Sequence, residues 1–125
     1  MTMGDERLYT RDGANAVLPE LRERLARIRV SRQTMLRAAE RVKAAVAADG
    51  GGHAGTDLWN ASATLKTEIE WLAGQNILLR DPETGLIDFP SELDGRPVFL
   101  CWRLGEDEVG YWHDVEAGFL GRKPL

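Results

Sequence analysis

The chain has 125 residues, 43% of them hydrophobic, with 16 Lys and Arg against 20 Asp and Glu and a formal net charge of −4. That length and apolar content support one folded core without staples, and the acidic balance lacks the electrostatic footprint of a nucleic-acid binder. The single cysteine, Cys101, excludes an intrachain disulfide framework, a zinc ribbon and a redox Cys-x-x-Cys, and it fits a reducing cytoplasm.

No apolar run approaches the roughly 20 residues that span a bilayer, and the acidic N-terminus Met1-Thr2-Met3-Gly4-Asp5-Glu6 is unlike a signal peptide. A cytoplasmic protein without a membrane partner is expected. Charge is uneven: residues 1–48 carry ten Lys and Arg against six Asp and Glu, and residues 49–125 carry six against fourteen. The Arg-rich helix face reads as solubilising surface rather than a nucleic-acid contact.

Thr10 is placed to cap a helix, and Pro19 either opens a new helix or kinks this one. Leu18, Leu21, Leu25, Ile28, Arg32, Met35, Ala39, Val42 and Val46 then recur at alternating steps of three and four, a heptad seam. Asp49-Gly50-Gly51-Gly52-His53-Ala54-Gly55 ends that helix, with His53 expected in solvent. Thr56 or Asp57 can cap a second helix, on which Leu58, Ala61, Leu65, Glu68 and Leu72 repeat the spacing to about Gly74. The two seams can face each other as an antiparallel hairpin. Because the second is shorter, the far end of the first needs another surface, and a homodimer is the preferred explanation.

After Asn76 the period shortens to two, with turn residues between short apolar runs. The fold class is therefore α+β: a long antiparallel helical hairpin over residues 10–76, a three- or four-stranded antiparallel β-meander over 77–116, and a tail over 117–125, all in one domain.

Asp94-Gly95 is a two-residue hairpin signal that pairs Leu93 with Arg96, Phe89 with Leu100, Asp88 with Cys101 and Ile87 with Trp102. A second tight turn at Glu106-Asp107 would pair Cys101 with Trp112 and Leu100 with His113. The core face then collects Ile87, Phe89, Val98, Leu100, Trp102, Leu104, Val109, Tyr111 and His113. The outer face collects Leu86, Asp88, Phe99, Cys101, Arg103, Trp112 and Asp114, a mixture suited to a pocket wall or an interface. In that register Cys101 and His113 point apart, so a Cys-His nucleophile pair is not expected; a one-residue slip at either hairpin would restore it.

Three ionisable residues fall on faces expected to be buried: Arg32, Glu68 and His113. An Arg32–Glu68 ion pair is the ordinary outcome. The sharper one sets Glu68 against His113, for acid–base work or as two metal ligands. No His-x-x-x-His, Glu-x-x-His or Asp-x-Asp-x-Asp spacing ties a ligand set together, so no metal or other cofactor is expected first. Arg122, in Gly118-Phe119-Leu120-Gly121-Arg122-Lys123-Pro124, is a candidate anion contact.

The run Gly85-Leu86-Ile87-Asp88-Phe89-Pro90, with Asp94-Gly95-Arg96, Leu100 to Glu106, Tyr111-Trp112-His113, Gly118-Phe119 and Gly121-Arg122, resembles the bacterial family called domain of unknown function 2203. Leu18-Pro19-Glu20-Leu21 is similar to the start of that family's helical part. The resemblance implies a stand-alone bacterial protein of this size and brings no activity to any residue. The expected function is a non-catalytic binding or assembly module that self-associates, with an unidentified protein or small-molecule partner. The alternative is a small metal-binding protein or enzyme using Glu68 and His113.

Overall fold

The computed structural model describes residues 7–48 and 54–125. Residues 1–6 and 49–53 lie outside them, and with them the expectations for the glycine-rich connection and His53; so does the side chain of Val46. Thr10 caps the first helix as its position suggests, its Oγ1 accepting the Gly13 N–H at 3.0 Å. Helix α1 runs over Arg11–Ala48, and Pro19 lies inside it rather than opening a new one.

Helix α2 spans Ala54–Gly74. It begins before the expected caps, which puts Asp57 in its first turn. Its other end closes in a Schellman arrangement: Asn76 takes φ 56°, Asn76 N–H donates to Ala73 O at 3.1 Å, and Ile77 N–H donates to Leu72 O at 3.0 Å. Leu72 and Ile77, the pair that accompanies this motif, are both buried. No helix among the described residues is long and apolar enough to cross a membrane.

The chain divides into two compact units, Glu23–Glu70 on one hand and Met1–Arg22 with Trp71–Leu125 on the other. The first is a two-helix arm. Leu25, Ile28, Ala38 and Ala61 are buried in it, along with Ser31. The buried line passes through Ser31 and Ala38, leaving Arg32 only half-covered and Ala39 exposed, so the strict heptad is not followed past Ile28.

The second unit is a five-stranded antiparallel sheet in the order β1-β2-β3-β4-β5, formed by Leu78–Asp81, Leu86–Leu93, Arg96–Arg103, Tyr111–Asp114 and Lys123–Pro124. The last of these comes from the segment expected to be a tail. Asp94 and Gly95 take φ 52° and 79°, the two left-handed residues a type I′ turn requires. The β2–β3 register is the one this turn dictates, with Asp88 opposite Cys101 and Ile87 opposite Trp102.

One face of that ribbon supplies the core: Ile87, Phe89, Val98, Leu100 and Trp102 are buried, each contributing roughly 1.5–3 kcal/mol by leaving water. The start of the chain packs with the sheet. Tyr9 N–H donates to Pro90 O at 2.7 Å, its ring meets Phe89 edge-on at 4.9 Å, and Asn15 Oδ1 accepts the Val109 N–H at 2.6 Å.

The second hairpin differs from expectation. Glu106-Asp107 is not a two-residue turn; residues 104–110 form a longer connection in which Gly105 takes φ 107° and Glu106 N–H donates to Arg103 O at 3.0 Å. The Glu106 carboxylate accepts the Arg103 N–H at 2.8 Å, and the Trp102 indole N–H donates to Glu106 O at 3.0 Å. Glu106 is none of the Gly, Asn or Asp that adopt left-handed geometry readily, and the second central position holds Asp107 where Asp94 is followed by a glycine, so a type I′ turn has little support there. Strand β4 shifts by one residue as a result: Cys101 pairs with Tyr111, Leu100 with Trp112 and Phe99 with His113. A shift of one turns every side chain of the strand to the opposite face.

Candidate metal centre

The shift brings His113 to the face that already carries Asp88 and Cys101. Tyr111 joins them, while Trp112 and Asp114 leave for the face of Leu100 and Val98. Of the expected outer-face set, Asp88, Phe99, Cys101 and Arg103 stay together. Trp112 and Asp114 correct to the other side, where Arg96 reaches both, lying 5.5 Å from the Trp112 ring and 3.4 Å from the Asp114 carboxylate. Tyr111 and His113 correct in the reverse direction, out of the expected core face.

Asp88, Cys101 and His113 are all buried, and a ligand atom from each lies within 4.8 Å of the other two. Asp88 Oδ2 accepts Arg80 Nε–H at 2.9 Å, and its Oδ1 faces His113 Nε2 at 2.9 Å. On the far side of the ring, His113 Nδ1 lies 2.7 Å from Asp114 O. A carbonyl oxygen can only accept, so Nδ1 carries a hydrogen, and Nε2 is the nitrogen turned to the cluster. Phe99 backs the ring at 5.5 Å and also lies beneath the Arg80 guanidinium at 5.1 Å.

Burial pushes the Cys101 thiol up to about 11, with the Asp88 charge adding to the rise and Arg122 opposing it through a hydrogen bond and its charge. A buried thiol kept protonated is a poor nucleophile. The Cys-His arrangement restored by the slip is thus not an activated pair, and His113 turns Nε2 to Asp88 rather than to sulfur.

Arg122 is not a free anion contact. Its Nη1 and Nη2 donate to Glu106 at 3.0 and 2.7 Å, and its guanidinium stacks over Tyr111 at 3.9 Å and Phe119 at 4.4 Å. Burial pushes the Glu106 carboxyl up, but the bonds from Arg122 and the Arg103 N–H, with both guanidinium charges, outweigh it and hold the group below its ordinary value.

Glu68 is buried in the arm, but its partners differ from those expected: Arg24 Nη1 at 3.0 Å on one oxygen and Arg27 Nε at 3.0 Å on the other. The Arg32–Glu68 pair gives way because Ser31 and Ala38, not Arg32 and Ala39, line the buried side of α1. The Glu68–His113 pairing gives way to Asp88, which the sheet delivers directly. Arg80 was not singled out from sequence, while Tyr111 was expected on the core face and Glu106 only in a tight turn. The absence of a left-handed residue pair at Glu106-Asp107 was the available signal, since it argues against the tight turn that separated His113 from Cys101.

A two-helix arm followed by an antiparallel meander, with a buried Asp-Cys-His cluster on the sheet, defines an α+β protein whose most concentrated chemistry is inside the sheet unit. The chain belongs to the family described as "Uncharacterized conserved protein (DUF2203)", whose model matches residues 7–125. No curated protein and no solved structure matches the chain.

Proposed function

We propose that this protein is a small non-catalytic binding module of the bacterial cytoplasm, and that its ligand is a transition-metal ion held by Asp88, Cys101 and His113. The observation that carries this reading is the convergence of one oxygen, one sulfur and one nitrogen donor within 4.8 Å at a buried point. Zinc bonds of about 2.0–2.3 Å imply ligand separations of roughly 3.3–3.8 Å, between the 2.9 Å and 4.8 Å limits found here. The Nδ1–H to carbonyl bond is the outer contact that orients a metal-binding imidazole, and Arg80 does the same for the carboxylate. A thiolate and an imidazole favour zinc or a neighbouring late transition metal over magnesium or calcium.

Zinc added to the purified, chelator-treated protein is expected to bind one ion per chain, and His113→Ala to abolish stoichiometric binding. Retention of one ion by that variant overturns the assignment.

Self-association is a second reading, favoured by the arm, where Val30, Leu36 and Trp59 are 58, 65 and 75% exposed. Sedimentation over a range of concentrations is expected to show a dimer that Leu36→Glu with Trp59→Glu dissociates; a wild-type monomer throughout overturns it.

A further inference from the structure

The three donors are buried, so an ion needs a route to them. Residues 118–125 return to the sheet beside Tyr111, the residue opposite Cys101. Arg122 stacks over the Tyr111 ring and is fixed there by both oxygens of Glu106. The rest of that segment is weakly attached. Its 3₁₀ turn, Phe119–Gly121, has no buried residue, Leu120 is 97% exposed, and Lys123 and Pro124 are exposed. Two register pairs, Tyr111 with Pro124 and Trp112 with Lys123, and the Leu125 N–H to Gly110 O bond at 2.9 Å complete its backbone hold. Gly118, at φ 71°, is where the chain turns into the segment. A segment with little apolar burial opens locally at far lower free energy than the core. The bidentate Arg122–Glu106 pair, 15 and 22% exposed, is its strongest single attachment.

We propose that residues 118–125 form a latch over the Asp88–Cys101–His113 site, closed by the Arg122–Glu106 pair, and that a metal ion enters and leaves when the latch opens. This rests on the metal-binding reading of the cluster. The latch governs the rate of exchange, because Arg122 and Glu106 donate no ligand, while affinity is set by the three donors beneath.

Cys101 is the only thiol in the chain, so its alkylation reports opening without ambiguity. The full chain is kept metal-free with a chelator and treated with iodoacetamide in water and in urea below the unfolding transition. Wild type is expected to label slowly and Glu106→Gln about tenfold to a hundredfold faster, the loss of one charge-assisted hydrogen-bonded pair. Both rates should stay nearly flat in low urea, since local opening exposes little surface. Equal rates, or rates rising with urea in step with global unfolding, overturn the latch. In the zinc-loaded protein, transfer of the ion to a colorimetric chelator should quicken by a similar factor in Glu106→Gln while the equilibrium affinity moves less than about threefold. Unchanged transfer with faster alkylation overturns control of ion exchange. Failure of wild type to bind zinc at all overturns the metal reading, and the alkylation rates then still decide whether the latch exists.

Discussion

In the metal-free protein, Asp88→Ala is expected to lower the unfolding free energy by about 2–3 kcal/mol, whereas Asp88→Asn lowers it by only about 1 kcal/mol. Asp88 is 3% exposed, and each of its oxygens has a partner: Arg80 on Oδ2 and His113 on Oδ1. Alanine leaves the buried imidazole with no partner at Nε2, while the Arg80 guanidinium, 45% exposed, turns to water. Asparagine satisfies both with the opposite proton arrangement. Its oxygen accepts from Arg80, and its amide donates to the Nε2 of a neutral His113. Urea denaturation at pH 7, read as a shift in midpoint at constant slope, measures the difference. Equal destabilisation by the two changes would mean that the hydrogen bonds to Asp88 do not hold the sheet. Asparagine is nevertheless expected to lose the ion, since a neutral amide is a far weaker ligand than a carboxylate; folding and binding are thereby separated at one position.

Much of this geometry was legible before the structure. Asp94-Gly95 specified its own turn type, and that turn fixed the whole β2–β3 register, including Asp88 opposite Cys101 and the core row from Ile87 to Trp102. Thr10 and the region of Gly74 marked helix ends because capping is local chemistry. The site failed at one residue of register. The connection 104–110 is shaped by contacts between distant parts of the chain, the Asn15 and Arg22 side chains bonding to Val109 N–H and Asp107 O, and no local pattern announces them. Because strand periodicity is two, that single residue exchanged His113 for Trp112 and decided whether Cys101 met an imidazole or an indole. Glu68 failed for a related reason: which flank of α1 is buried depends on Ser31 and Ala38, and the heptad alone favoured Arg32 and Ala39.

Zinc binding is expected to release the Cys101 thiol proton near neutral pH. Burial holds the Cys101 thiol up near 11, so it remains protonated across the range in which the protein would be studied, and the ion must displace that proton to gain a thiolate ligand. The loaded state thus holds fewer protons than the empty one, and raising the pH favours loading. From the thiol proton, affinity should increase by about tenfold per pH unit while that proton is in place, and fall by the same factor as the pH drops. Calorimetric titration in buffers of different ionisation enthalpy counts the protons directly. Cys101→Ser should release fewer protons and bind on the order of 100-fold more weakly, its hydroxyl being a poor substitute for a thiolate. At zinc concentrations 100 times the dissociation constant the wild-type fold gains about 2.7 kcal/mol, and this gain should grow with pH at fixed zinc because the dissociation constant shrinks. An affinity indifferent to pH would show that the ion does not displace the thiol proton, and would place it off Cys101.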